Sequence, residues 1–298
     1  MLYHPLGKSA LRVSEIALGG MSLKGPEAAN IALLHQALAG GINLFDTADL
    51  YDQGANEALF GKAFKDRRSQ VILATKVGNQ LRPDGSGWDW NPRKEYILRA
   101  VEDSLRRLQT DYIDLYQLHG GTLDDPTDET ISAFAQLQQQ GKIRYYGISS
   151  IRPDVIRTWV ERSQMVSVMM QYSLLDRRPE ESALPLLEAH HIGVLARGSV
   201  AKGLLAGKPA AGYLDYTPQA VQTMQEAVKA ISGDARSMGQ TAMRYVLQHP
   251  AVTSLVVGIR TAQQLEEALG AATAPALTPA EMQTLAEVLP ARFYESHR

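Results

Sequence analysis

VILATK (71–76), RKEYILRAVEDSLRRL (93–108) and IDLYQLH (113–119) read in succession as a strand, a helix and a strand. The two outer runs are short and mostly apolar. In the middle run Ile97, Leu98, Val101, Leu105 and Leu108 recur at helical spacing and share one face. A strand apolar along its whole length is covered on both sides, as in a parallel sheet carrying helices on its faces.

The same unit repeats in both directions. EIALG (15–19), NLFD (43–46), IRYYGIS (143–149), VSVMMQ (166–171), GVLAR (193–197) and SLVVG (254–258) complete a set of eight strand candidates. Eight such units without a break in composition predict an α/β fold, a (β/α)8 TIM barrel forming a single domain over residues 1–298. Two segments fall outside the repeat. YHPLGKSALRVS (3–14) predicts an N-terminal β-hairpin that plugs the barrel floor. TPAEMQTLAEVLP (278–290) predicts a C-terminal extra helix on the outside or near the rim, with Thr278 as N-cap, Pro279 at the first turn and Glu281 completing a capping box. VGNQLRPDGSGWDWNP (77–92) is the longest stretch without periodicity, and in a barrel it lies at the catalytic face.

Composition narrows the function classes. Thirty basic against thirty-two acidic residues leave a net charge of -2, so there is no electrostatic footprint for nucleic acid or an anionic membrane. Without cysteine there is no disulfide framework, thiol nucleophile or thiolate metal site. No leader or membrane-length apolar run is visible, and the expected setting is the cytoplasm. A monomer is expected, because no large apolar helix face is left unassigned. His190 and His191 diverge by about 100° on a helix and do not share a metal. The HGG run at 119–121 lacks an accompanying GxSxG nucleophile elbow. No metal site is expected.

Catalytic groups of such barrels lie at strand C-termini and in the loops that follow. That rule selects Asp46, Lys76 and His119 at three consecutive strand ends, with Tyr51 in the loop DTADLYDQGANE (46–57). Together they suit proton transfer to an oxygen on which charge develops. A free tyrosine, with a pKa of about 10, donates poorly near neutrality. A Lys76 ammonium beside it would favour the phenolate, Asp46 would keep Lys76 charged, and His119 could bond the reacting oxygen.

GINLFDTADLYDQGANEALFGKAF (41–64) resembles the signature region of the aldo-keto reductases. LATK, LYQLH, YYGIS, MQYSLL, RGSVAKGLLAGK and VVGIRTAQQLEEAL follow in matching order over nearly the whole chain. The resemblance implies an NADPH-dependent reductase of small aldehydes or ketones, with Asp46, Tyr51, Lys76 and His119 as its tetrad. A second reading, a nucleotide-sensing regulatory subunit with weak turnover, also follows from proteins resembling this family.

The chain has no GxGxxG after a strand, so a dinucleotide would lie across the barrel mouth rather than on a Rossmann sheet. Ser199, Lys202 and Gly203 after the seventh strand, and Gly258 and Arg260 after the eighth, suit its phosphates, with Gln264 and Glu267 on the helix that follows. The resemblance assigns the 2′-phosphate to Arg260 and the nicotinamide carboxamide to Ser149 and Gln171. Arg197 stands where many relatives carry an aromatic that stacks on nicotinamide, and is expected to turn toward phosphate. Ser150 and Ala268 replace asparagines frequent in the family. Trp88 and Trp90 are read as apolar pocket wall.

Overall fold

The computed structural model describes residues 1–298. β1 (Tyr3–Pro5) and β2 (Arg12–Ser14) pair antiparallel as the predicted hairpin. The barrel begins with β3 (Ile16–Gly19), β4 (Leu44–Asp46) and β5 (Ile72–Val77). A second hairpin, β6 (Asn79–Leu81) and β7 (Trp88–Trp90), interrupts it. The remaining barrel strands are β8 (Ile113–Leu118), β9 (Ile143–Ser149), β10 (Ser167–Gln171), β11 (Gly193–Arg197) and β12 (Val252–Gly258). All eight run parallel, and β12 pairs with β3 to close the ring.

Helices follow the strands as the repeat requires: α1 (Glu27–Ala39), α2 (Ala55–Phe64), α3 (Lys94–Leu108), α4 (Thr127–Gln139), α5 (Pro153–Arg162) and α6 (Ala183–Ala189). Between β11 and β12 there are two, α7 (Pro218–Ser232) and α8 (Met238–Leu247), and the second packs on β12. α9 (Ala262–Thr273) completes the layer. α10 (Pro279–Glu287) carries the anticipated capping box, Thr278 with Glu281, and lies on the outside against α7. No helix is long and apolar enough to cross a membrane.

Two apolar cores follow from strand alternation. The larger lies between sheet and helices and includes Ile97, Val101 and Leu108 of α3. The smaller fills the barrel itself, where Ala17, Leu44, Ala74, Leu115, Met169, Leu195 and Val256 meet Leu6, Leu11 and Val13 of the hairpin. Burying each such Leu or Val contributes about 1.5–3 kcal/mol. Gly7 sits in the left-handed region (φ 55°) at the hairpin turn, and a Cβ there would fall 2.2 Å from the Val166 carbonyl oxygen. The hairpin therefore seals the floor.

Side chains of one strand face the same way every second residue. Two positions beyond the interior apolar layer, the same inward face presents Asp46 above Leu44, Lys76 above Ala74 and Gln117 above Leu115. On the far side it presents Gln171 above Met169, Arg197 above Leu195 and Gly258 above Val256. The register sets Lys76 beside Gln117 and Gln171 beside Arg197.

The segment 77–92 departs from the irregular loop expected of it. Its strands are too short to show an alternation. The turn closes because the Asp84 carboxylate accepts from Ser86 N–H (2.9 Å) and Gly85 adopts φ 73°.

Candidate active site

Lys76 is completely buried and fully bonded. Its Nζ donates to Asp46 Oδ1 (2.8 Å), Asp46 Oδ2 (2.6 Å) and the Thr47 carbonyl oxygen (2.7 Å), three acceptors for three protons. Burial pulls the ammonium down, but the Asp46 carboxylate and the nearby Tyr51 outweigh it, so Lys76 titrates above the usual lysine range. Burial likewise pushes Asp46 up, against the pull of Lys76. Gln117 Nε2 reaches Asp46 Oδ1 at 3.4 Å.

The Tyr51 ring centroid lies 5.1 Å from Lys76 Nζ and 5.9 Å from the His119 ring, which it meets edge-on at 82°. His119 is pushed down to about 3 by burial, then by the positive charges of Lys76 and Arg197, so its imidazole is neutral. Its Nδ1 is buried without a partner. An orphaned N–H there would be costly, which favours the tautomer with the proton on Nε2. Four groups named from sequence thus converge at one mouth: an ammonium held by a carboxylate, a phenol and a neutral imidazole.

The turn carrying Tyr51 is braced from below. Asp52, Gln53 and Gly54 all adopt positive φ (48°, 54° and 88°), and a Cβ at Gly54 would fall 2.8 Å from Arg107 Cδ. Arg107 Nε donates to Glu57 Oε2 (2.7 Å), while Thr75 Oγ1 donates to the other Glu57 oxygen (2.5 Å). Glu57 is in the first turn of α2 and Thr75 directly precedes Lys76, so this buried network ties the Tyr51 turn to β5. Gln117, Thr47, Glu57 and Arg107 were not singled out from sequence. Only Gln117 had a visible signal, its position two residues before His119 on the same face.

The expected dinucleotide residues occupy the opposite half of the mouth. The Ser149 hydroxyl, at the end of β9, is half-buried and bonds to nothing in the chain. Gln171 uses both amide protons and one lone pair within the chain: its Oε1 accepts from Arg197 Nη1 (3.0 Å), and its Nε2 donates to Asp176 (2.8 Å) and to the Tyr213 hydroxyl (3.1 Å), which leaves one lone pair of Oε1 for a ligand. After β11, Gly198, Ala201, Lys202 and Gly203 adopt positive φ, and the N–H groups of Ser199 and Val200 donate to no group of the chain. Ser199 is buried, the Lys202 side chain is exposed, and its carbonyl accepts from Lys208 Nζ (2.7 Å). At the end of β12, Gly258 faces Ser22, whose Oγ would stand 2.6 Å from an added Cβ. Arg260 is exposed ahead of α9, its N–H held by Gln264 Oε1 (2.9 Å). Thr261 caps α9 by accepting from Gln264 N–H, which leaves the N–H groups of Ala262 and Gln263 free. Glu267 instead accepts from Ser237 Oγ and ties α9 to the start of α8. Free N–H groups at a left-handed turn and a helix start, with Arg260 beside them, fit an extended anionic dinucleotide.

The two tryptophans differ. Trp88 is 47% exposed on its hairpin. Trp90 lies over Gly78 and Gly120, and its Nε1 donates to Asp125 Oδ1 (2.8 Å), which clasps the hairpin to the loop after His119. The C-terminal tail reaches the β10–β11 side, where Tyr294 is buried with the Arg178 guanidinium 4.8 Å from its ring.

The model of the Aldo/keto reductase family matches residues 15–290. The uncharacterized oxidoreductase YqkF of Bacillus subtilis is 49% identical, over 98% of each chain. The holo form of aldo-keto reductase AKR11C1 from Bacillus halodurans superimposes with a TM-score of 0.95 at 49% identity, covering 100% of this chain and 99% of that one. Its apo form gives 0.88 at 47% identity, with the same coverage. The chain belongs to the aldo/keto reductase family, oxidoreductases that act on carbonyl compounds.

Proposed function

We propose that the chain reduces aldehydes or ketones to alcohols with NADPH, Tyr51 acting as the general acid. When bound, NADPH supplies a hydride to the carbonyl carbon. Negative charge then develops on the oxygen, and the neighbouring residues answer it. His119, neutral and with Nε2 available, donates a hydrogen bond to that oxygen without delivering a full proton. Tyr51 transfers its phenolic proton and is left as a phenolate. The Lys76 ammonium beside the ring stabilises that phenolate, while Asp46 keeps the ammonium charged in a site where burial opposes it. Solvent at the open mouth then returns the proton to Tyr51. Ser149 and Gln171 are proposed to orient the nicotinamide, Ser199, Lys202, Gly203 and Gly258 to flank the phosphates, and Arg260 to take the 2′-phosphate, with Gln264 holding the Arg260 backbone and Glu267 bracing α9.

The observation that carries this reading is the buried, fully bonded Lys76 placed between Asp46 and Tyr51. Tyr51→Phe tests it. The variant should bind NADPH as the wild type does, by fluorescence titration, and lose at least about a hundredfold in kcat on a carbonyl panel. Retained turnover would remove Tyr51 as the acid, and failure of the wild type to bind NADPH would remove the reductase reading.

A further inference from the structure

Charge at the mouth does not balance. Asp46 and Lys76 neutralise each other, and His119 is uncharged. Asp176 is committed to Arg178 through two bonds of 2.7 and 2.9 Å. Arg197 has no carboxylate partner, and its guanidinium is held by the neutral Gln171 carboxamide at 3.0 Å. The remaining neighbours, Tyr213 and Tyr294, are phenols that burial keeps protonated. Arg197 is therefore an uncompensated cation on the inward face of the mouth, two positions beyond the barrel-lining Leu195 and beside Gln171 in the register.

This bears on the cofactor, and it rests on the NADPH reading above. Hydride transfer needs the donor carbon about 3–3.5 Å from the carbonyl carbon. The carbonyl oxygen would lie between Tyr51 and His119, so the nicotinamide ring has to sit beside them, and Gln171, proposed to orient that ring, is bonded to Arg197 at 3.0 Å. That ring is neutral in NADPH and cationic in NADP+, whereas the phosphates are the same in both. We infer that Arg197 discriminates between the two redox forms, weakening NADP+ relative to NADPH and so helping the spent cofactor to leave. A positive charge that merely gripped phosphate would strengthen both forms alike.

The test is the ratio Kd(NADP+)/Kd(NADPH), with NADPH followed by fluorescence and NADP+ by displacement of bound NADPH. Arg197→Met keeps the length and removes the charge, and Arg197→Lys keeps the charge. Two unit charges a few ångströms apart at a partly exposed site correspond to a ratio effect on the order of tenfold. The Arg197→Met ratio should fall by that factor, while Arg197→Lys retains most of the wild-type ratio. An unchanged ratio in Arg197→Met, or equal weakening of both forms, overturns the inference and leaves the cofactor reading intact. Wild-type protein that binds neither form overturns both. Because Arg197 is exposed, unchanged thermal unfolding of both variants is the expected control for folding.

Discussion

Lys76 and Gln117 stand side by side across the β5–β8 seam and direct their side-chain nitrogens at the same oxygen, Asp46 Oδ1, at 2.8 and 3.4 Å. The carboxylate is thus held from two strands at once. Asp46 itself ends a third strand, and strand alternation places all three groups above the apolar layer that fills the barrel.

Breaking this arrangement from one side should be worse than removing it. Lys76→Met leaves the Asp46 carboxylate buried without its cation, at a cost of about 3–5 kcal/mol. The double variant Asp46→Asn with Lys76→Met has no buried charge. It should unfold at a higher temperature than Lys76→Met alone, while both lose at least about a hundredfold in kcat. If the double variant is the less stable of the two, the pair is not electrostatically coupled as the geometry requires.

His119 should leave no mark on the acid side of the pH profile near its ordinary titration. Its ring is held down to about 3 by burial and by the cations Lys76 and Arg197, so it remains neutral through the range where a free histidine protonates. The logarithm of kcat/KM should show no acid limb near pH 6.5. A limb there that disappears in His119→Gln would mean that an imidazolium forms, and would reverse the role given to this residue.

The clasp between Trp90 and Asp125 should act on catalysis through the His119 loop. Trp90→Phe keeps a ring over Gly78 and Gly120 but loses the 2.8 Å hydrogen bond to Asp125. A hydrogen bond to a charged group contributes about 1.5–3 kcal/mol, of which the partial exposure of this pair leaves the lower part. Trp90→Phe and Asp125→Asn should each lower the unfolding temperature and reduce kcat/KM several-fold. Their combination should lose little beyond the worse single variant. Fully additive losses would show that the two residues act independently.

Most of the architecture was legible because burial on both faces writes each barrel strand as an apolar run. IRYYGIS and GVLAR match β9 and β11 residue for residue. Asp46, Lys76 and His119 were legible because a polar residue that ends an apolar strand has a reason other than packing. Register was not legible, and with it the pairing of Gln171 with Arg197. That pairing depends on which strands lie side by side, information that no single strand carries. Nor was the β6–β7 hairpin visible, since three residues a side are too few to display a period of two. Glu267 shows a third limit. Its position on α9 was clear, but its partner Ser237 belongs to α8, an element that only the packing of the two helices brings near.

Asp49 provides a stability prediction with a definite sign. Its carboxyl is buried in the Tyr51 loop, Oδ1 has no partner, and burial followed by the nearby Glu57 pushes it up to about 8. In the unfolded chain the group ionises near the ordinary aspartate value of about 4. Below that value both states are protonated, and the residue adds no pH dependence. Between about 4 and 8 the native state binds the extra proton, so stability falls as the pH rises through this window, and the loss is complete once the native carboxyl ionises. Asp49→Asn removes the titration. Its unfolding temperature relative to the wild type should therefore climb between pH 5 and pH 8, by on the order of 5 °C. The comparison is of slopes, so any fixed cost of the new amide cancels. Parallel curves for the two proteins across this window would mean that the Asp49 carboxyl is already ionised in the native state.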